Sequence, residues 1–155
     1  MERSSELFHQ FLSEVFGDIL KREEASLAAG DLSLREVQLI DAVCRTVDQG
    51  GDNRSTAIAA ARQMPAGTLT CAVDLLVKKG YLTRLRDRKD RRVVRLMPTQ
   101  QGRAASEQHR AFHRRIADSL LSVLTDQEAS ALLRGLEKLT DFFRGGPQAP
   151  VNQKP

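Results

Sequence analysis

Seven cationic side chains and two aspartates share the twelve residues from Arg84 to Arg95, RLRDRKDRRVVR. The whole 155-residue chain carries 24 Lys and Arg against 20 Asp and Glu, so the other 143 residues hold 17 cations and 18 acids. All of the excess charge therefore sits on one short segment, and the chemistry open to such a cluster is the holding of a polyanion. The plain alternative is a solvated loop, which is what most charge runs are. A second grouping, His109 and His113, stands at the i, i+4 spacing with which one helical face can chelate Zn(II). Cys44 and Cys71 lie 27 positions apart with no CxxC pair, so neither a disulfide scaffold nor a zinc knuckle follows. No nucleophile elbow, HExxH or P-loop is present, which points away from an enzyme and implies no cofactor.

The elements that must carry the cluster can be read from periodicity. YLTRL and VVRLM are short runs in which β-formers alternate with basic residues, and they bracket RDRKDRR, which places the charge at the tip of a hairpin. Upstream, STAIAAARQM reads as a short helix, Met64-Pro65-Ala66-Gly67 as a break, and TLTCAVDLLVKKG as a second helix ending at Gly80. Helix, short turn, helix and basic hairpin together make a winged helix. Before it, Ser33 and Glu36 form a capping box for a helix with Leu34, Val37, Ile40, Val43 (or Cys44) and Val47 on one face. QGGDNRS, residues 49–55, is a turn-rich loop.

Both ends are strongly amphipathic. Leu7, Phe8, Phe11, Leu12, Val15, Phe16, Ile19 and Leu20 recur in pairs every four residues, a stripe wide enough to need a partner surface. After Pro98, Thr99 caps a long helix through about Val123, and Thr125 with Glu128 caps a last one carrying Leu132, Leu133, Leu136, Leu139 and Phe143. The expected fold is mainly α with a small β wing: one domain over residues 1–144, a winged helix-turn-helix core at about 33–98, and dimerisation helices at about 5–28 and 99–144. Residues 145–155 read as a disordered tail. Hydrophobic content of 41% and charged content of 28% suit a soluble globular chain, nothing approaches a membrane span, and no secretion signal opens the sequence. With only two cysteines, a reducing cytoplasm is the natural compartment.

LVKKGYLTRLRDRKDRRVVRLMPTQQG resembles the signature of the MarR family of winged helix-turn-helix regulators: a recognition helix ending in Lys-Lys-Gly, a strand, an Asp-x-x-Asp-Arg-Arg wing, a second strand, then Thr-x-x-Gly. The likeness runs over roughly residues 5–144. VFGDILKREEASL, LIDAV, GTLT, KKGYLTR, DRRVV and the AFHRR helix are similar to the branch that represses fatty-acid-synthesis genes and takes acyl chains on acyl carrier protein as effector. Cys71 departs from the pattern, standing where many members carry Arg or Thr.

The resemblance implies a homodimer on double-stranded, palindromic DNA. Gly67, Thr68, Thr70 and Cys71 would face base edges in the major groove, with Asp74 one turn on. Arg84, Arg86, Arg88, Lys89, Asp90, Arg91 and Arg92 would form the wing, its tip cations suited to a narrow minor groove and Asp90 pairing bidentately with Arg92. Phe8, Phe11, Leu12, Val15, Phe112, Ile116 and Leu120 would line an acyl or hydrophobic effector pocket, although any of them can equally be core. Arg103, Arg110, Arg114 and Arg115 would attract an acidic carrier protein. Metal-sensing relatives add a histidine and carboxylates from the first two helices to such a histidine pair, and here Glu24 and Glu36 are available while Val37 offers no ligand. The alternatives are a regulator responding to an aromatic or hydrophobic small molecule or to Zn(II), and a helical scaffold whose basic hairpin meets an acidic protein.

Overall fold

The computed structural model describes residues 2–145, so the expected tail beyond Gly145 lies outside the described residues. The described residues divide into two compact units, one up to Phe112 and one from His113 onward, with the boundary inside one long helix.

The first unit opens with α1 (Glu2–Gln10), a π turn (Phe11–Val15) and α2 (Phe16–Leu27). The paired apolar residues explain the π turn. A four-residue repeat overshoots a 3.6-residue α turn by about 40°, so the stripe would wind around the helix. One wider turn takes up the excess. Leu7, Phe8, Phe11, Leu12, Val15 and Phe16 all remain at least 40% exposed, far more contiguous apolar surface than scattered single residues would make.

Ser33 opens α3 (Leu34–Asp48) with the expected capping box: its hydroxyl accepts the Glu36 N–H at 3.3 Å, and the Glu36 carboxylate accepts the Ser33 N–H at 2.7 Å. Lys79 donates to the same carboxylate at 2.8 Å. Burial pushes the Glu36 carboxyl up, but the bonds from Lys79 and Ser33 outweigh it and leave it below its ordinary value. Next come α4 (Ser55–Ala61) and α5 (Ala66–Lys78). The first of these stops three residues short of Met64, because Gln63 turns through a positive φ of 52° ahead of Pro65. α5 ends at Lys78, and Gly80 two residues on turns the chain away with a φ of 85°, open to glycine at little cost.

Strands β1 (Leu82–Arg86) and β2 (Val94–Pro98) pair antiparallel, Leu82 opposite Pro98 and Arg86 opposite Val94. Leu82 and Leu96 drop into a core formed with Ile40, Val43, Leu69, Val73 and Leu76, all essentially inaccessible to solvent. The wing is thus rooted in the same core as the helix-turn-helix. α6 (Gln100–Leu121) starts hard against β1. Thr99 Oγ1 donates toward the Gly80 carbonyl at 2.6 Å and accepts the Gly102 N–H at 3.0 Å. A Cβ on Gly102 would lie 2.1 Å from the Tyr81 carbonyl oxygen, so only glycine permits this approach. The Thr-x-x-Gly spacing has that physical cause.

In the second unit, Thr125 and Glu128 cap α7 (Asp126–Gly145) reciprocally, at 2.9 and 3.4 Å. Leu132, Leu133, Leu136, Leu139 and Phe143 on α7 are all exposed.

Candidate nucleic-acid interface

The wing is held at its root by a network that crosses some forty residues of sequence. Arg95 Nε donates to Asp87 Oδ2 at 2.7 Å, and Arg95 Nη1 donates to Asn53 Oδ1 at 3.0 Å. Asn53 returns two bonds to β2, its Nδ2 donating to the Leu96 carbonyl at 3.0 Å and its carbonyl accepting the Leu96 N–H at 2.9 Å. Asp87 Oδ1 also accepts the Lys89 N–H at 2.8 Å, which starts the turn. The Arg95 guanidinium and these backbone N–H groups hold the Asp87 carboxyl down at about 2.

Beyond that root, the tip is bare. Arg86, Arg88, Lys89, Arg91 and Arg92 are exposed, and no hydrogen bond or ion pair to their side chains is formed among the described residues. Asp90 does not pair with the Arg92 guanidinium, which corrects the sequence expectation. Its Oδ1 accepts the Arg92 backbone N–H at 2.9 Å instead. The wing's ion pair is Asp87–Arg95, and Asp90 shapes the turn without neutralising a tip cation.

On α5, Gly67, Thr68, Thr70 and Cys71 are all exposed at the amino-terminal half, as the recognition-helix reading requires. The Thr70 hydroxyl donates to the Ala66 carbonyl at 2.9 Å, so outward it presents an acceptor and a methyl group. Those suit an amino group on a base edge and a thymine methyl respectively. Arg84 from β1 crosses to this helix, its Nη1 2.5 Å from Asp74 Oδ1 and its Nη2 3.4 Å from the Thr70 carbonyl.

A pocket of about 420 Å³ collects Thr70, Asp74, Arg84 and Arg92 with Arg54, Ser55 and Thr56 from the start of α4. The last three were not among the residues singled out from sequence. The signal for them was the basic residue at the end of the QGGDNRS loop, where it meets the first helix of the pair. Asp52 grips Arg54 with bonds of 2.5 to 2.9 Å, and the Arg54 guanidinium in turn holds the Asp52 carboxyl at about 2.

The remaining expected site residues fall elsewhere. Phe8, Phe11, Leu12 and Val15 lie on the exposed stripe of the first unit, Phe112 and Ile116 are partly buried, and Leu120 is exposed. The carboxylate beside His109 is Glu23, not Glu24: Glu23 Oε1 lies 2.9 Å from His109 Nδ1, both nearly sealed from solvent. Glu24 is exposed, Glu36 is engaged with Lys79 and Ser33, and His113 stands exposed one turn further along α6. Of the arginines expected to greet an acidic protein, Arg103 is paired with Asp48 at 2.8 Å and Arg110 with Asp41 at 2.7 Å. Asp41 also accepts from Ser106 at 2.8 Å and pairs with Arg45 at 2.9 Å, a buried hub joining α3 to α6 within the first unit. Burial pushes the Asp41 carboxyl up, yet these donors bring it below its ordinary value. Cys44 is buried, with its thiol pushed up by desolvation, and Cys71 is exposed.

Residues 43–94, the span from α3 through the wing, match the MarR family profile. The HTH-type transcriptional regulator YpoP of Bacillus subtilis (strain 168) is 26% identical over 128 residues, covering 83% of this chain and 87% of that protein. Streptococcus pneumoniae FabT, solved in complex with DNA, superposes with a TM-score of 0.79 at 26% identity, covering 90% of this chain and 97% of FabT. MepR of S. aureus, also solved with DNA, shares the fold at a TM-score of 0.68 and 19% identity, over 88% and 96% of the two chains. No described helix is long and apolar enough to cross a membrane. The profile match over the winged core and the fold shared over nine-tenths of the chain with FabT make this chain similar to the MarR family of winged helix-turn-helix transcriptional regulators.

Proposed function

We propose that the protein is a dimeric, sequence-specific DNA-binding repressor in the cytoplasm, acting on a palindromic operator. The observation that carries this reading is the contrast along the hairpin: an ion-paired root fixed to the core, and a tip whose cations are exposed and unneutralised beside the recognition helix. A turn whose backbone is braced by Asp87 and Asp90 presents its cations without refolding, and release of counterions from the DNA supplies sequence-independent affinity. Thr68 and Thr70 then add shallow base contacts, leaving much of the discrimination to DNA shape. FabT and MepR, solved with DNA, support the assignment of the partner.

The exposed stripes of α1–α2 and of α7 support dimerisation, since each leaves large apolar side chains in water in a single chain. Pairing through them would set two wings about one DNA turn or a multiple apart. The branch resemblance supports fatty-acid-synthesis genes as targets and an acyl chain, free or on acyl carrier protein, as effector. Phe8, Phe11, Leu12 and Val15 are too open in one chain to enclose such a chain, so a second copy would close the tunnel. With Arg103 and Arg110 engaged internally, exposed Arg115 is a cation of α6 suited to meet an acidic carrier. A second reading, response to Zn(II), has one observation in its favour, the sealed Glu23–His109 pair. Equilibrium dialysis with Zn(II) decides it: one tightly held ion per chain, lost in His109→Ala, supports it, and no retention removes it.

Binding to a palindromic duplex selected from a random pool tests the main reading. Preference over random duplex by well above about tenfold at physiological salt is expected, and a smaller preference would return the helical scaffold to the lead. About six phosphate contacts per dimer give a log–log salt slope on the order of −5.

A further inference from the structure

The pocket between α4, α5 and the wing draws in three guanidinium groups, from Arg54, Arg84 and Arg92, and one carboxylate, from Asp74. Asp74 projects from the recognition helix with 61% of its side chain exposed, on the surface that would face a polyanion. A carboxylate there costs affinity for every duplex, whatever its sequence. Asp74 is not the only acceptor for Arg84, because the guanidinium also reaches the Thr70 carbonyl at 3.4 Å. What Asp74 adds is an anion in the guanidinium fork, where a phosphate would otherwise make the same charge-assisted bonds.

We propose that Asp74 is a specificity-determining residue: its carboxylate occupies the Arg84 fork in place of a DNA backbone phosphate and repels phosphate from the pocket. This rests on the DNA-binding reading above. Moving Arg84 from the carboxylate to a phosphate exchanges one ion pair for another but leaves Asp74 unpaired against the backbone, so the exchange carries a net cost. The modest base contacts of Thr68 and Thr70 therefore decide whether the exchange occurs. Random duplex is held loosely, and a matched duplex draws Arg84 across. Discrimination is set here by a penalty on the wrong partner as much as by attraction to the right one.

The experiment is a salt series of fluorescence anisotropy titrations on the full chain, with a random duplex and the selected palindrome, for wild type, Asp74→Asn, Arg84→Ala and the double variant. Thermal melts confirm folding, and Asp74→Ser replaces the Asn variant if that one melts early. Asp74→Asn is expected to bind random duplex about tenfold or more tighter, with a slope steeper by about 0.9 per copy. The palindrome gains less, so the ratio between the two narrows. In the Arg84→Ala background the gain, in log units, falls below half. Unchanged or weaker random-duplex binding in Asp74→Asn overturns the proposal, as does an equal gain in both backgrounds. Should wild type show no preference for the palindrome, the operator reading fails, while the response on random duplex still decides whether Asp74 masks Arg84.

Discussion

Arg95 and Arg92 stand three residues apart on one hairpin and meet opposite surroundings. Arg95 is shared between Asp87 and Asn53, and its charge is spent on fixing the wing to the α3–α4 loop. The Arg92 side chain has no partner among the described residues, while its backbone is pinned by Asp90. Charge density alone does not separate the two, since both belong to the same basic run. The acceptors around them do. An arginine held by a carboxylate and an amide is structure, whereas one on a braced turn with nothing to meet is available to a ligand.

The two classes of arginine should therefore fail in different ways. Arg92→Ala is expected to weaken binding to every duplex by about 2 kcal/mol or more, roughly thirtyfold, with an unchanged melting temperature. Gly102→Ala acts wholly through the scaffold: its Cβ has no room against the Tyr81 carbonyl, and urea unfolding should show a loss of about 1–3 kcal/mol. Arg95→Met falls between them. It strands the Asp87 and Asn53 side chains, lowers stability by about 1–2 kcal/mol, and weakens DNA binding without making the salt slope shallower. Thr70→Ala is the mildest on affinity, narrowing the gap between matched and random duplex by about 1 kcal/mol.

Acid gives a fifth contrast. The Asp87 carboxyl sits at about 2 in the folded chain, well under the ordinary aspartate value. The order it lends the wing is complete above about pH 4 and is lost as pH falls toward 2, when the carboxyl takes up its proton. Protection of the Lys89 amide, measured against its intrinsic exchange rate, should fall across that window before the amides of the buried core respond.

The local features were legible in the sequence. Capping boxes at Ser33 and Thr125, the break before Pro65 and the strand–turn–strand pattern all depend on residues within a few positions of one another. The partners of the wing were not, because Asn53 and Arg95 are 42 positions apart and nothing in either neighbourhood encodes their meeting. Asp90 was assigned to Arg92 on spacing and family pattern, and the turn instead directs its carboxylate to a backbone N–H. Arg54, Ser55 and Thr56 open a short helix with no mark of a site beyond one basic residue, and only the fold brings them to Thr70 and Arg84. Glu23 displaced Glu24 beside His109 for a similar reason, a single residue of helical phase that the sequence leaves open. The π turn was equally hidden, although the four-residue repeat was its visible trace.

The division of labour along the hairpin is tested most directly by one slope. Salt titrations on the selected palindrome would compare wild type with a variant in which Arg88, Lys89, Arg91 and Arg92 are all Gln, leaving Asp87, Arg95 and Asn53 in place. A wild-type slope on the order of −5 that becomes shallower by at least about 2 in the variant, with melting temperature preserved, is the predicted result. Equal slopes for the two proteins would mean that the tip cations meet no phosphate, and the nucleic-acid interface would have to be sought elsewhere on the chain.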